Sequence, residues 1–192
     1  MPLTSTQRGV IGQTEAVKLV TITSDGEVEA SYPAADDDHR DVETHRRKRF
    51  VSAALQVKTA WRLWVHRQSR ILQIPFTLPA SRLVNNPHFW YFFGYFDRKA
   101  LAFADPIFLV PSTEVHKHAM PRLVNGIWRF TFQASLKPGA RDRWSKYRVT
   151  SASVGKRLLE IIRDLEKQAA TTSSSRDEVK NLPGVLWVRA AL

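Results

Sequence analysis

The stretch that decides the fold is Ala54-Leu-Gln-Val-Lys-Thr59, read together with His39-Arg-Asp-Val-Glu-Thr-His45 just before it. Both alternate as β-strands do. Asp41 then takes one face and Val42 the other, while Gln56 and Lys58 share a face and Leu55 and Val57 take the opposite one. Paired as neighbours, the two strands gather a carboxylate, an amide oxygen and an ammonium at one spot. Those groups suit a divalent cation, a phosphate and an attacking water.

Outward from this pair, Arg46-Arg-Lys-Arg49 forms the tip between strands expected at about 40–46 and 50–60. Upstream, Val10, Ile11, Val17 and Val20 give an amphipathic helix over about 7–23, with a β-branched run at its end. Ser24-Asp-Gly26 is a turn and 27–32 a strand. Downstream, a strand near 71–76 should end at Pro75, and 78–86 should be helical until Asn85-Asn-Pro87 stops it. His88–Phe96 is an aromatic buried strand, Ile107–Val110 a second apolar run, and 127–134 another alternating strand. Ser112 or Thr113 is expected to cap a helix carrying Glu114 in its first turn. Ser151 or Ser153 opens the clearest helix, with Val154, Leu158, Leu159, Ile162 and Leu165 on one face. The resulting class is α/β (α+β), a mixed central β-sheet flanked by helices. A disordered tail (1–6), a folded domain (7–169), and a linker with C-terminal tail (170–192, Val185-Leu-Trp-Val188 an edge strand or docking segment) complete the plan. There is no internal repeat.

The 192 residues fit one domain. The chain has no cysteine, which excludes a disulfide framework and thiolate zinc sites and fits a reducing cytoplasm. No signal-peptide core opens it, and its most apolar run, Phe89–Phe96, is too short to span a bilayer, so a cytoplasmic protein without a membrane segment is expected. The formal charge of +11 is uneven. Residues 1–43 hold three Lys/Arg against nine Asp/Glu, a net of −6, whereas 44–163 hold 22 against five, a net of +17. Such a body attracts polyanions, with nucleic acid favoured over anionic lipid or an acidic protein.

The order of a helix with Gly12-Gln-Thr-Glu15, a strand with Asp41 and a strand with Gln56-Val-Lys58 resembles the PD-(D/E)xK nuclease superfamily, the restriction-endonuclease-like fold. Its Gln-x-Lys form resembles the Mrr-type endonucleases and related prokaryotic families. Pro33, Arg40-Asp-Val42, Phe92-Phe-Gly-Tyr-Phe-Asp97 and Phe108-Leu-Val-Pro-Ser112 extend the likeness over about residues 8–168. The resemblance implies metal-dependent hydrolysis of DNA phosphodiesters, in genome defence or DNA processing. It implies Mg²⁺ or Mn²⁺ on Asp41, Gln56 and the Val57 carbonyl, with Lys58 positioning the water. Related families often carry glutamate where Gln13 stands; Glu15 is the candidate substitute, and Glu43 shares the face of Asp41. With glutamine at both Gln13 and Gln56, a catalytically inactive nuclease-fold module that binds DNA or protein stays open. A homodimer would suit cleavage of both strands of a duplex.

Double-stranded DNA is the expected partner. Arg46, Arg47 and Lys48 at the tip are candidate phosphate contacts, as are Arg62, Arg67 and Arg70 among Trp61, Trp64 and His66. Arg141, Arg143, Lys146 and Arg148, around Trp144 and Tyr147 in what reads as a flexible loop, complete the set. Asp36-Asp-Asp38 lacks the ligand spacing of a calcium loop and reads as a solvated lead-in to the Asp41 strand, with Asp38 a weak backup ligand. His116 and His118 have zinc-compatible spacing on a strand but no third ligand, so they read as surface histidines. Neither a nucleophile elbow nor a phosphate-binding loop is present.

Overall fold

The computed structural model describes residues 2–33, 40–49, 51–66 and 69–172. Thr4 and Gln7 form a capping box: the Thr4 hydroxyl accepts from the Gln7 amide, and the Gln7 side chain accepts from the Thr4 amide. Helix α1, Ser5–Thr23, therefore starts two residues before the expected position at Gln7. Its β-branched end stays helical because Val20 is fully buried and the Thr23 hydroxyl is held twice. That hydroxyl donates to the Leu19 carbonyl at 2.7 Å and accepts from the Gly155 amide at 2.7 Å. Asp25 and Gly26, both at positive φ, close the helix into the predicted turn.

Strands β1 (Val28–Ser31), β2 (Val42–Arg46) and β3 (Ser52–Ala60) form an antiparallel meander. Strand β3 then pairs in parallel with β6 (Phe89–Asp97), which pairs antiparallel with β7 (Ala102–Pro111), and β10 (Arg148–Val149) closes the edge. This six-stranded mixed sheet, in the order β1-β2-β3-β6-β7-β10, is the expected central sheet. Helix α1 and helix α3, Val154–Thr172, cover one face, where Val20, Leu158 and Ile162 pack on Leu55, Phe92 and Ile107.

The other face departs from expectation. It is covered chiefly by a second, four-stranded sheet in the order β4-β5-β9-β8, built from β4 (Trp64–His66), β5 (Ser69–Pro79), β8 (Arg122–Val124) and β9 (Ile127–Ser135). Phe93 of the central sheet stacks on Phe132 of the second at 3.9 Å between ring centroids. Strand β5 does not end at Pro75 but continues to Pro79. The Arg70 carbonyl accepts from Leu136 beyond β9, so even-numbered residues of β5 direct their backbone toward β9 and Pro75 faces the other edge. Strand β4 pairs no further than Ile71, so the missing proline N–H costs no ladder bond there. The helix expected over 78–86 is reduced to one 3₁₀ turn, Ala80–Arg82. The next segment is tied to helix α2, Ser112–His118, by Asn85 to His116 and Asn86 to Ser112. Ser112 spends its hydroxyl on the Asn86 carbonyl rather than on a cap, and Pro111 occupies the cap position. The expected C-terminal strand or docking segment at 185–188, Arg67 and Asp36–Asp38 lie outside the described residues.

Candidate active site

Asp41 stands at the entrance of β2, its amide donating to the Leu55 carbonyl at 2.9 Å. Its Oδ2 accepts from the Val57 amide at 2.7 Å and from the Gln56 side-chain nitrogen at 2.5 Å. The carboxylate is thus fastened across β3 at the Gln-x-Lys segment. Gln56 is buried, and Lys58 follows it on the same face, its Nζ 5.8 Å from the ring centroid of Phe76 on β5. Tyr91 lies opposite Gln56 in the parallel pairing of β3 and β6. Burial pushes its phenol well above the usual range, with the nearby Asp41 charge adding to the shift.

Lys58 opens into a cleft of about 540 Å³ whose walls include Arg8, Gly9, Trp61, Arg62, Gln73 and Phe76. Arg8 was not among the sequence candidates. Helical spacing was the signal that could have found it, since Arg8 lies one turn before Gly12, and Gly12 touches the Thr59 side chain. That close approach, which a β-carbon would obstruct, fixes where α1 crosses β3.

Glu15 lies on the same buried stripe of α1 as Gly12, Ala16 and Val20, whereas Thr14 is exposed. Its Oε2 pairs with Lys18 at 2.5 Å, and its Oε1 is buried without a hydrogen-bond partner. The helix phase therefore turns Glu15 toward the sheet, on the side lined by Leu55 and Val57. Glu43 lies alongside Asp41 at the exposed end of β2 and pairs with Arg40 at 3.1 Å. Among the described residues no group of three or more His, Asp or Glu side chains forms a ready-made metal cage.

The basic candidates separate into two groups. Arg62 is exposed on the cleft wall, and Arg70 is exposed beside a second hollow bounded by Tyr95, Asp97 and Asp105. Arg141 and Arg143 are exposed, the latter hydrogen-bonded to His118. Lys146 is exposed, 4.8 Å over the Tyr147 ring and 3.5 Å from Glu114. Other basic positions have partners within the chain. Arg46 is spent on Glu166 at 2.6 Å, and Arg47 reaches Glu29 at 3.7 Å. The Arg46–Lys48 tip also lies at the far end of the β2–β3 hairpin from Asp41 and Lys58, because His45 pairs with Ser52. Arg148 is a structural latch, donating to the Ser135 carbonyl at 2.6 Å and the Lys137 carbonyl at 2.9 Å, with Asp142 at 3.3 Å. The loop it closes is not loose. Asp142 also accepts from the Ser135 and Trp144 amides, and Trp144 is buried.

Aromatic residues near Lys58 divide similarly. Trp61 packs on Phe96 at 4.7 Å, whereas Trp64 is 58% exposed. His116 is not a surface residue or a zinc ligand on a strand. It is buried on α2, accepting from the Tyr91 hydroxyl at Nε2 (2.8 Å) and donating from Nδ1 to the Asn85 side-chain oxygen (2.7 Å).

No family model matches the chain, and no curated protein matches it. A solved structure does: that of a bacterial homing endonuclease, with a TM-score of 0.54 and 13% identity, over 87% of this chain and 99% of that one. The chain has the fold of that endonuclease. At this identity the likeness concerns architecture, and it extends over almost the whole of the other protein. No helix among the described residues is long and apolar enough to cross a membrane.

Proposed function

We propose that the protein is a metal-dependent DNA endonuclease of the restriction-endonuclease-like, Gln-x-Lys type, with its centre at Asp41, Gln56 and Lys58. The observation that carries this reading is the Asp41 carboxylate clasped by Val57 and Gln56, with Lys58 next along the same face in a cleft walled by Arg8 and Arg62. The fold shared with a homing endonuclease supports it.

The donor set fits Mg²⁺ or Mn²⁺. A carboxylate, an amide oxygen and the Val57 carbonyl are hard oxygen donors, and such ions keep several waters rather than demanding a full protein cage. The unpartnered buried oxygen of Glu15 is a further hard donor on the inner side of α1. When bound, the ion supplies Lewis-acid activation of the phosphate and acidifies water. The chain does the rest. The Val57 amide and Gln56 fix the carboxylate rotamer of Asp41. Lys58 places positive charge where the pentacovalent phosphate becomes more anionic, and it orients the attacking water. Arg8 and Arg62 hold the flanking phosphates. A homodimer would present two such centres to the two strands of a duplex.

The test is nicking of supercoiled plasmid in Mg²⁺, Mn²⁺ or EDTA. Asp41→Asn and Lys58→Ala should each lose about 10²-fold or more, with circular dichroism unchanged. Undiminished cleavage by both variants would falsify the assignment. A second reading has its own observation: Gln56 donates its amide to Asp41, so the pair satisfies itself as an ordinary structural hydrogen bond. An inactive DNA-binding module then follows, marked by duplex binding indifferent to EDTA and no cleavage with either metal.

A further inference from the structure

The outward face of the second sheet carries a pattern that its own stability does not explain. Leu72, Ile74, Phe130 and Phe132 are buried against the central sheet. Alternation therefore sends Gln73, Thr77, Arg129, Thr131 and Gln133 to the other side. Register then sets Gln73 opposite Gln133, Thr77 opposite Arg129, and Arg129 opposite Arg122 of β8. The four strands contain no aspartate or glutamate. Like charges placed directly opposite across a ladder are destabilising. Neither guanidinium has a hydrogen bond or ion pair among the described residues, and neither do the two carboxamides. An anionic partner over this face would relieve the repulsion.

We infer that this face reads duplex DNA through the major groove. The inference rests on the duplex-DNA part of the proposed function and adds the surface that gives it sequence preference. Strand β8 pairs with β9 only as far as Arg129, so beyond it β5 and β9 form the two-stranded ribbon that carries Gln73 and Gln133, and such a ribbon fits a groove ~12 Å wide. Arginine matches the acceptor pair of guanine, and glutamine the donor–acceptor pair of adenine. From Arg129 to Gln133 the strand advances ~14 Å at ~3.4 Å per residue, which covers about four base pairs at ~3.4 Å each. Gln73 and Pro75 also wall the Lys58 cleft, so the reading face runs into the candidate centre. The alternatives fit less well. The major groove of duplex RNA is too deep and narrow for side chains to read. A single-strand site relies on successive stacking platforms, whereas among the described residues this face has one exposed aromatic, Trp64 at its β4 end, and hydrogen-bonding groups along β5 and β9.

The experiment measures binding of the full chain in EDTA, so that no cleavage intervenes, to a random-sequence duplex library with selection of the bound fraction. Arg122→Ala/Arg129→Ala should weaken binding about tenfold or more and flatten the selected motif. Gln73→Ala/Gln133→Ala should alter the motif with a smaller loss. Arg129→Ala alone should leave the melting temperature unchanged or raised, which a structural role for the pair would not do. An affinity within twofold of the parent and an unaltered motif in both double variants would overturn the inference. So would tighter binding to single strands or to duplex RNA. Lys58→Ala separates the two readings. Lost cleavage with retained motif supports both, absence of cleavage even in the parent with a retained motif removes only the catalytic reading, and cleavage without a motif removes only this one.

Discussion

His116 shows how one residue can make stability follow pH. It is enclosed between the Tyr91 hydroxyl and the Asn85 amide oxygen, and burial lowers its pKa from about 6.5 to about 4. In the folded protein the ring therefore stays neutral over a range in which the unfolded chain takes up a proton. Stability rises with pH wherever the unfolded state binds more protons. This contribution is complete above about 6.5, declines as pH falls toward about 4, and levels off below it. Thermal melts across that window should show a steeper loss for the parent than for His116→Gln, which has no titrating ring. Parallel curves would show that the imidazole is not held neutral. Because Tyr91 is both the donor to His116 and the neighbour of Gln56, the same network stiffens the floor of the candidate site.

At the scale of elements, the contact between α1 and β3 is where packing and chemistry meet. A β-carbon on Gly12 would run into the Thr59 hydroxyl, and Thr59 follows Lys58 directly. Gly12→Ala should cost ~1–3 kcal/mol as an overpacked contact and lower any cleavage by shifting the Lys58 backbone. Adding Thr59→Ala should restore part of the melting temperature, and strictly additive losses would place the strain elsewhere. Elements whose signal is local were legible in the sequence: the aromatic β6, the apolar stripe of α3, and the alternation around Asp41 and Gln56. The second sheet was not. Pro75 reads as a strand end because its backbone cost depends on which edge it faces, and that is decided by β4 and β9. Leu78 to Asn86 reads as a helix, but Asn85 and Asn86 are held by α2, far away in sequence. The inward turn of Glu15 required only the helix phase, which Gly12 and Ala16 already carried.

For the whole molecule, the surplus of positive charge in residues 44–163 is a sum over arginines that do different work. The charge is visible in the sequence, but which guanidiniums are consumed internally is decided by partners from other elements. Arg148 holds two carbonyls and Asp142, closing the loop after β9. Arg62 and Arg141 are exposed, Arg62 on the wall of the Lys58 cleft. The two roles predict opposite signatures. Each phosphate contact releases counterions and adds about one unit to the slope of log affinity against log salt. Arg62→Ala/Arg141→Ala should therefore flatten that slope by about two while leaving the melting temperature unchanged. Arg148→Ala should do the reverse, leaving the slope intact and costing ~1–3 kcal/mol of stability through stranded acceptors. Titration of a labelled duplex over a range of potassium chloride, paired with thermal melts of each variant, measures both. If the Arg148 variant lost slope rather than stability, its guanidinium would have to reach DNA from beneath the loop. The hydrogen bonds to Ser135 and Lys137 would then not be what holds that segment closed.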